Sequence, residues 1–208
     1  MAKLKDLHLV LVRSGLTDWD ECGRLTGGVD LPLSEEGRGR IEAALGGLEH
    51  TELHVVLSGP DDCSRQTASV LASAAGCKVK VLDDLHDVGL GLWEGLRSVD
   101  LEERFPSLYK RWLDDPTAVR PPEGESIAEA RARVIGALTR TLKKMRERQP
   151  RAGVVLRPLA RGIVRCWLEG LPDSRLWAVA GSGREAEWHS VPAAAMSGVE
   201  GKLAQPVG

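Results

Sequence analysis

The chain has 208 residues, 42% hydrophobic and 28% charged, with a formal net charge of −2. That length suffices for one domain with a substantial core, the composition is that of an ordinary soluble protein, and the near-neutral charge leaves no footprint for nucleic acid or an anionic membrane. No apolar run approaches the ~20 residues of a membrane-spanning helix.

Leu7–Val12 reads as a buried strand that ends in a tight turn at Gly15. After a glycine-punctuated loop, Ser34 caps a helix with Glu35 and Glu36 in its first turn, where carboxylates suit the helix dipole. Ile41, Ala44, Leu45 and Leu48 supply its expected buried stripe. Leu53–Leu57 is a second strand, and Ser58-Gly59-Pro60 turns it into a further helix. Val79 and Val81 mark a third strand, and Gly89–Gly95 forms a loop around Trp93. Short helices are expected from Ser98 and from Pro106. Ser126 and Glu129 have the spacing of a capping box for a long helix reaching about Arg148. Gly153–Leu156 is a fourth strand, followed by a helix with Ile163, Val164, Trp167 and Leu168 on one face. Leu176–Ala180 and Trp188–Val191 read as late strands, and residues 192–208 as a loose tail. Strands alternating with helices predict one domain over residues 1–191, an α/β/α sandwich on a largely parallel sheet. Ligands of such folds sit beyond the carboxyl ends of the strands.

Cys22, Cys63, Cys77 and Cys166 form no Cys-x-x-Cys pair, and the first residues lack the apolar core of a signal peptide. Reduced thiols and a cytoplasmic location are therefore expected. His50, His54 and His189 lack metal-ligand spacing, so no metal is expected, nor any cofactor. The basic residues between Arg131 and Arg148 read as the solvated face of the long helix rather than a nucleic-acid surface. Six tryptophans against one tyrosine and one phenylalanine point to core packing, whereas clustered exposed ones would mark an interface.

Five blocks in order resemble the histidine phosphatase (phosphoglycerate mutase-like) family. They are Leu11–Thr17; Gly23–Gly27 with Asp30–Gly37; Ser58-Gly59-Pro60 with Arg65–Ala68; Gly91–Gly95; and Gly124-Glu125-Ser126. The resemblance implies a histidine nucleophile in an Arg-His-Gly turn. It also implies two arginines and a second histidine around the phosphate, and a carboxylic acid that protonates the leaving group. Arg13 stands at the first arginine, but Ser14 replaces the nucleophile and Cys63 the second arginine. Asp87 falls on the acid, Asp20 on a usual asparagine, and Thr26 lies in the substrate loop. The second histidine falls on Arg157 counted from the strand, or on Ala160 counted back from Arg165.

A phosphate dianion beside Asp20 and Asp87, with Arg13 alone in its family place, binds poorly unless Arg157, Arg65 or Arg161 swings in. Ser14 has no matching histidine base, and Cys63 lacks the amide cradle of cysteine phosphatases. Neighbours on an extended segment point opposite ways, so His86 and Asp87 are not expected in one pocket. The resemblance with its losses implies a catalytically inactive relative acting through a protein partner, a homo-oligomer or an anionic small molecule held by Arg13, Asp20, Thr26 and Arg157. The alternative is an enzyme of altered chemistry using Asp87 or Asp20 with Arg13 on an anionic substrate.

Overall fold

The computed structural model describes residues 7–45, 52–145, 151–181 and 185–191. Its sheet has the order β3-β2-β4-β1-β5, from β1 (Leu7–Arg13), β2 (Val55–Ser58), β3 (Lys78–Val81), β4 (Arg151–Leu156) and β5 (Ala186–Val191). The first four strands are parallel, and β5 pairs antiparallel with β1 at one edge. The helices are α1 (Asp18–Glu21), α2 (Glu35–Leu45), α3 (Asp62–Ala74), α4 (Ser98–Arg104), α5 (Pro106–Asp114), α6 (Ile127–Met145), α7 (Pro158–Glu169) and α8 (Leu176–Ala180).

Strand periodicity divides the core in two. Val10 and Val12 of β1 face Ile41, Leu45, Ala68 and Leu71 of α2 and α3. Leu9 and Leu11 face the opposite layer, built from α6, α7 and the short helices between β3 and α6. Trp93, Trp112 and Trp177 form an edge-on chain in that layer, with centroids 5.6 and 5.3 Å apart. The Trp177 indole N–H donates to the Trp112 carbonyl at 2.7 Å. The tryptophans therefore serve mainly as core, with Trp188 exposed on β5.

Local signals explain the helix ends. Ser34 accepts the Gly37 N–H at 2.9 Å. Ser126 and Glu129 close the expected box at 2.9 and 3.3 Å. Gly170 ends α7 in a left-handed conformation, φ 66°. Two expectations need correction. Leu176–Ala180 is helical: a short apolar run does not distinguish strand from helix, and Leu176, Val179 and Ala180 bury one helical face. Ala44 is exposed, because the buried side of α2 narrows to Gly37, Ile41 and Leu45. Leu48, residues 146–148 and the 192–208 tail lie outside the described residues.

The turn after β1 is held by close packing as well as by hydrogen bonds, among them the Gly15 N–H to Thr67 Oγ1 at 3.1 Å. A Cβ on Gly37 would fall on the Leu16 carbonyl oxygen and 2.7 Å from the Leu16 nitrogen, so α2 approaches the turn backbone as only glycine allows. Gly37→Ala is expected to destabilise the protein by roughly 1–3 kcal/mol. Urea unfolding checks this; an unchanged midpoint would show that α2 can withdraw from the turn without cost.

Candidate functional site

The parallel strands β1, β2 and β4 end together, and Ser14 donates its backbone N–H to the Leu156 carbonyl at 2.9 Å. Arg157 follows Leu156 as the residue capping α7, with Pro158 in the first turn. Its side chain is only 4% exposed and lies across the turn that carries Ser14. One guanidinium nitrogen, Nη1, reaches Ser14 Oγ at 3.5 Å, the Gly15 carbonyl at 3.4 Å and Cys63 Sγ at 3.4 Å. The other, Nη2, donates to both Asp20 carboxylate oxygens at 3.1 and 3.0 Å and to Thr26 Oγ1 at 2.7 Å. Arg157, rather than Ala160, therefore stands against Ser14, Cys63, Asp20 and Thr26.

Burial works against the Arg157 charge, but Asp20, then Cys63 and Asp87, hold its pKa above the ordinary arginine value. Asp20 is fixed from its other side by the Thr17 N–H and hydroxyl, at 2.8 and 2.7 Å. The pair is thus a braced internal ion pair between partners 4% and 16% exposed. Truncating one side of a buried pair strands the other charge.

Asp87 is buried, and its Oδ1 accepts the Ala160 N–H at 2.7 Å in the first turn of α7. A helix N-terminus attracts anions; here the chain's own carboxylate takes that place. Burial pushes the Asp87 pKa up to about 6, against the opposing pull of Arg157 and two backbone N–H groups. Cys63 is also buried, and desolvation pushes its thiol up to about 11. At neutral pH it is a thiol donating to the Gly15 carbonyl at 3.1 Å, not a nucleophilic thiolate.

The other arginines are engaged away from the cleft. Arg161 is buried and pairs with Glu187 at 3.1 Å; its pKa is lowered by desolvation, with Arg13 among the lesser causes. Arg65 pairs with Asp62 on the surface. Arg13 shares the strand face of Leu9 and Leu11, and neither it nor Ser14 lines the cleft.

That cleft, of about 110 Å³, is walled by Gly27, Gly28, Val29, Asp30, Pro60, Asp61, His86, Asp87 and Arg157. His86 and Asp87 both reach it, contrary to the alternation expected of an extended segment. The chain leaves a 3-10 turn at His86, and the imidazole Nδ1 contacts the Asp87 carbonyl at 2.8 Å. Two supporting residues were missed: Glu94, read only as part of the Gly91–Gly95 block, and Arg133, expected on the solvated face of the long helix but largely buried against the cleft segment. Glu94 accepts the Gly28 and Leu90 N–H groups at 2.8 and 2.9 Å, tying down the glycine wall. Arg133 of α6 donates to the Asp84, His86 and Asp87 carbonyls at 2.8, 2.9 and 3.2 Å while paired with Glu125 at 2.6 Å. Asp30 and Asp61 were also missed as cleft residues. Asp30 lies in a matched block, and Asp61 stands one residue before α3 at the carboxyl end of β2, where ligands of such sheets are met.

Among the described residues no group of acidic, histidine or cysteine side chains could hold a metal ion, and no helix is long and apolar enough to cross a membrane.

The histidine phosphatase superfamily (branch 1) model matches residues 9–191. Phosphoserine phosphatase 1 of Hydrogenobacter thermophilus is 29% identical over 172 residues, 83% of this chain and 81% of that protein. Bifunctional protein Rv2228c of Mycobacterium tuberculosis is 38% identical over 128 residues, 61% of this chain; the match spans 35% of that longer protein. The solved mycobacterial glucosyl-3-phosphoglycerate phosphatase Rv2419c superposes with a TM-score of 0.77 at 26% identity, covering 89% of this chain and 90% of the other.

The raised Asp87 pKa has a consequence for stability. A carboxyl that holds its proton more tightly when folded makes the folded state lose stability as pH rises from the unfolded value near 3.8 to about 6. The loss amounts to roughly 3 kcal/mol. Asp87→Asn keeps an oxygen for the Ala160 N–H and removes the titration. Urea unfolding from pH 4 to 7 is expected to show the variant gaining that amount on the wild type as pH rises. Parallel curves would contradict the assignment.

Proposed function

The chain belongs to the histidine phosphatase superfamily (branch 1), and we propose that it is a non-catalytic member, acting by binding or assembly rather than by phosphoryl transfer. One observation carries the reading: the guanidinium of Arg157 lies against Ser14, at the nucleophile's place in the family turn, and is neutralised there by Asp20. Phosphoryl transfer needs a nucleophile with a base and uncompensated positive charge around the oxygens. Ser14 is buried and contacts a permanently charged arginine, which cannot accept its proton. Cys63 adds no charge, and the N-terminus of α7 is occupied by Asp87. A phosphate dianion entering the cleft would meet Asp30, Asp61 and Asp87 before any free cation.

One observation favours a second reading, an enzyme of altered chemistry. Asp87 is a buried cleft carboxyl titrating near 6, in the range suited to general acid–base work. That reading has Asp87 or Asp20 as acid/base with Arg13 holding an anionic substrate, and the positions of Arg13 and Asp20 do not favour it: Arg13 is absent from the cleft lining and Asp20 is held by Arg157. It would require turnover whose pH profile loses its limb near 6 in Asp87→Asn.

Hydrolysis of p-nitrophenyl phosphate without added metal, together with calorimetric titration of phosphate and vanadate, tests the leading reading. The expected result is no turnover above buffer and no saturable binding of either anion. Phosphomonoesterase activity abolished by Ser14→Ala or Arg157→Ala would overturn it.

A further inference from the structure

We propose that Asp20 is a built-in ligand: its carboxylate fills an anion site of carboxylate size, formed by Arg157 and Thr17, and thereby keeps external anions off Arg157. The inference rests on the reading that this site no longer takes phosphate. It adds the residue responsible and the class of anion that the place fits.

The donors converge on one place. Asp20 Oδ2 accepts the Thr17 N–H at 2.8 Å, the Thr17 hydroxyl at 2.7 Å and Arg157 Nη2 at 3.0 Å, and Oδ1 accepts the same Nη2 at 3.1 Å. Oriented and charge-assisted donors of this kind are what a free carboxylate uses. Arg157 does not depend on Asp20 for its position. Thr26 Oγ1 at 2.7 Å and the Gly15 carbonyl at 3.4 Å hold the guanidinium from other sides, so the donors stay aimed when the carboxylate is removed. The neighbouring carboxylates are committed elsewhere. Asp30 accepts the Asp62 N–H at 2.6 Å, Asp61 the Ser64 N–H at 2.9 Å and Asp87 the Ala160 N–H at 2.7 Å, each tied to the start of a helix. Among the described residues Asp20 alone forms an ion pair with Arg157. Arg157 is 4% exposed, but Asp20 keeps 16% of its side chain in contact with solvent, which gives a small ion a path once that side chain is cut back to Cβ.

Removing one side of a buried pair strands the other charge, and an ion that binds only the folded state restores stability as its concentration rises. Formate has the size and charge of the group removed. Asp20→Ala is therefore unfolded with urea in sodium formate and in sodium chloride of equal ionic strength, beside wild type, Asp20→Asn and the double variant Asp20→Ala with Arg157→Met. In chloride, Asp20→Ala is expected to be less stable than wild type. Formate is expected to raise its ratio of folded to unfolded protein, at its chloride midpoint, about tenfold or more beyond any effect on wild type. Asp20→Asn fills the place with a neutral amide and gains nothing from formate, and the double variant has no stranded charge to satisfy. Formate acting on all four proteins alike, acting on none, or still rescuing the double variant would overturn the proposal. If Asp20→Ala does not fold in chloride, the yield of folded protein on dilution from urea reads the same quantity: recovery in formate alone is expected, and recovery in neither salt overturns the proposal. Each of these failures leaves the non-catalytic reading standing; that reading falls instead to phosphomonoesterase activity in the wild type.

Discussion

The arrangement turns on one constraint: a buried charge must find its opposite. Arg157 emerges where β4 ends and α7 begins, under the turn that follows β1, so its guanidinium is almost wholly withdrawn from bulk water. Asp20 supplies the compensating charge, Thr17 holds Asp20, and Thr26 and the Gly15 carbonyl take remaining donors. Those contacts join the end of β4, the turn after β1, α1 and the loop that follows. The geometry of the strand ends and the charge state of the site are therefore the same fact.

The same logic repeats around it. A helix N-terminus that could hold an anion holds Asp87 instead. Arg161, one turn further into α7, is buried against Glu187 of β5. Arg133 is committed to Glu125 and to the carbonyls of the segment bearing His86 and Asp87. Arg157, Arg161 and Arg133 are thus each paired with a carboxylate inside the fold, while Asp30, Asp61 and Asp87 line the cleft. On the proposed non-catalytic reading, these arrangements together disfavour an anion at the site.

The fold was legible because its signals are local and repeated: strand alternation, the Ser34 and Ser126 caps, and five motifs in order. The exception, Leu176–Ala180, is a five-residue apolar run whose state is decided by packing on α7. The site was legible in part. The identities at positions 13, 14, 63 and 87 could be read directly, but whether Arg157 or Ala160 met Ser14 could not be settled by counting from two ends. Pro158 held the answer, since proline favours the first turn of a helix and makes the preceding arginine its cap. Contacts between distant segments, such as Arg133 with the His86 and Asp87 carbonyls or Glu94 with Gly28, leave no trace in spacing. Nor does the exposure of Asp61 and Asp30 to the cleft.

The central claim is that Arg157 and Asp20 neutralise each other inside the site. A double-mutant cycle by chemical denaturation at pH 7, using Arg157→Met, Asp20→Asn and the combined variant, measures that directly. The account predicts a coupling energy of about 1.5 kcal/mol or more, the double variant being far less destabilised than the sum of the single ones. Additive effects would mean that the two charges act independently, and that Arg157 is free to receive an anion.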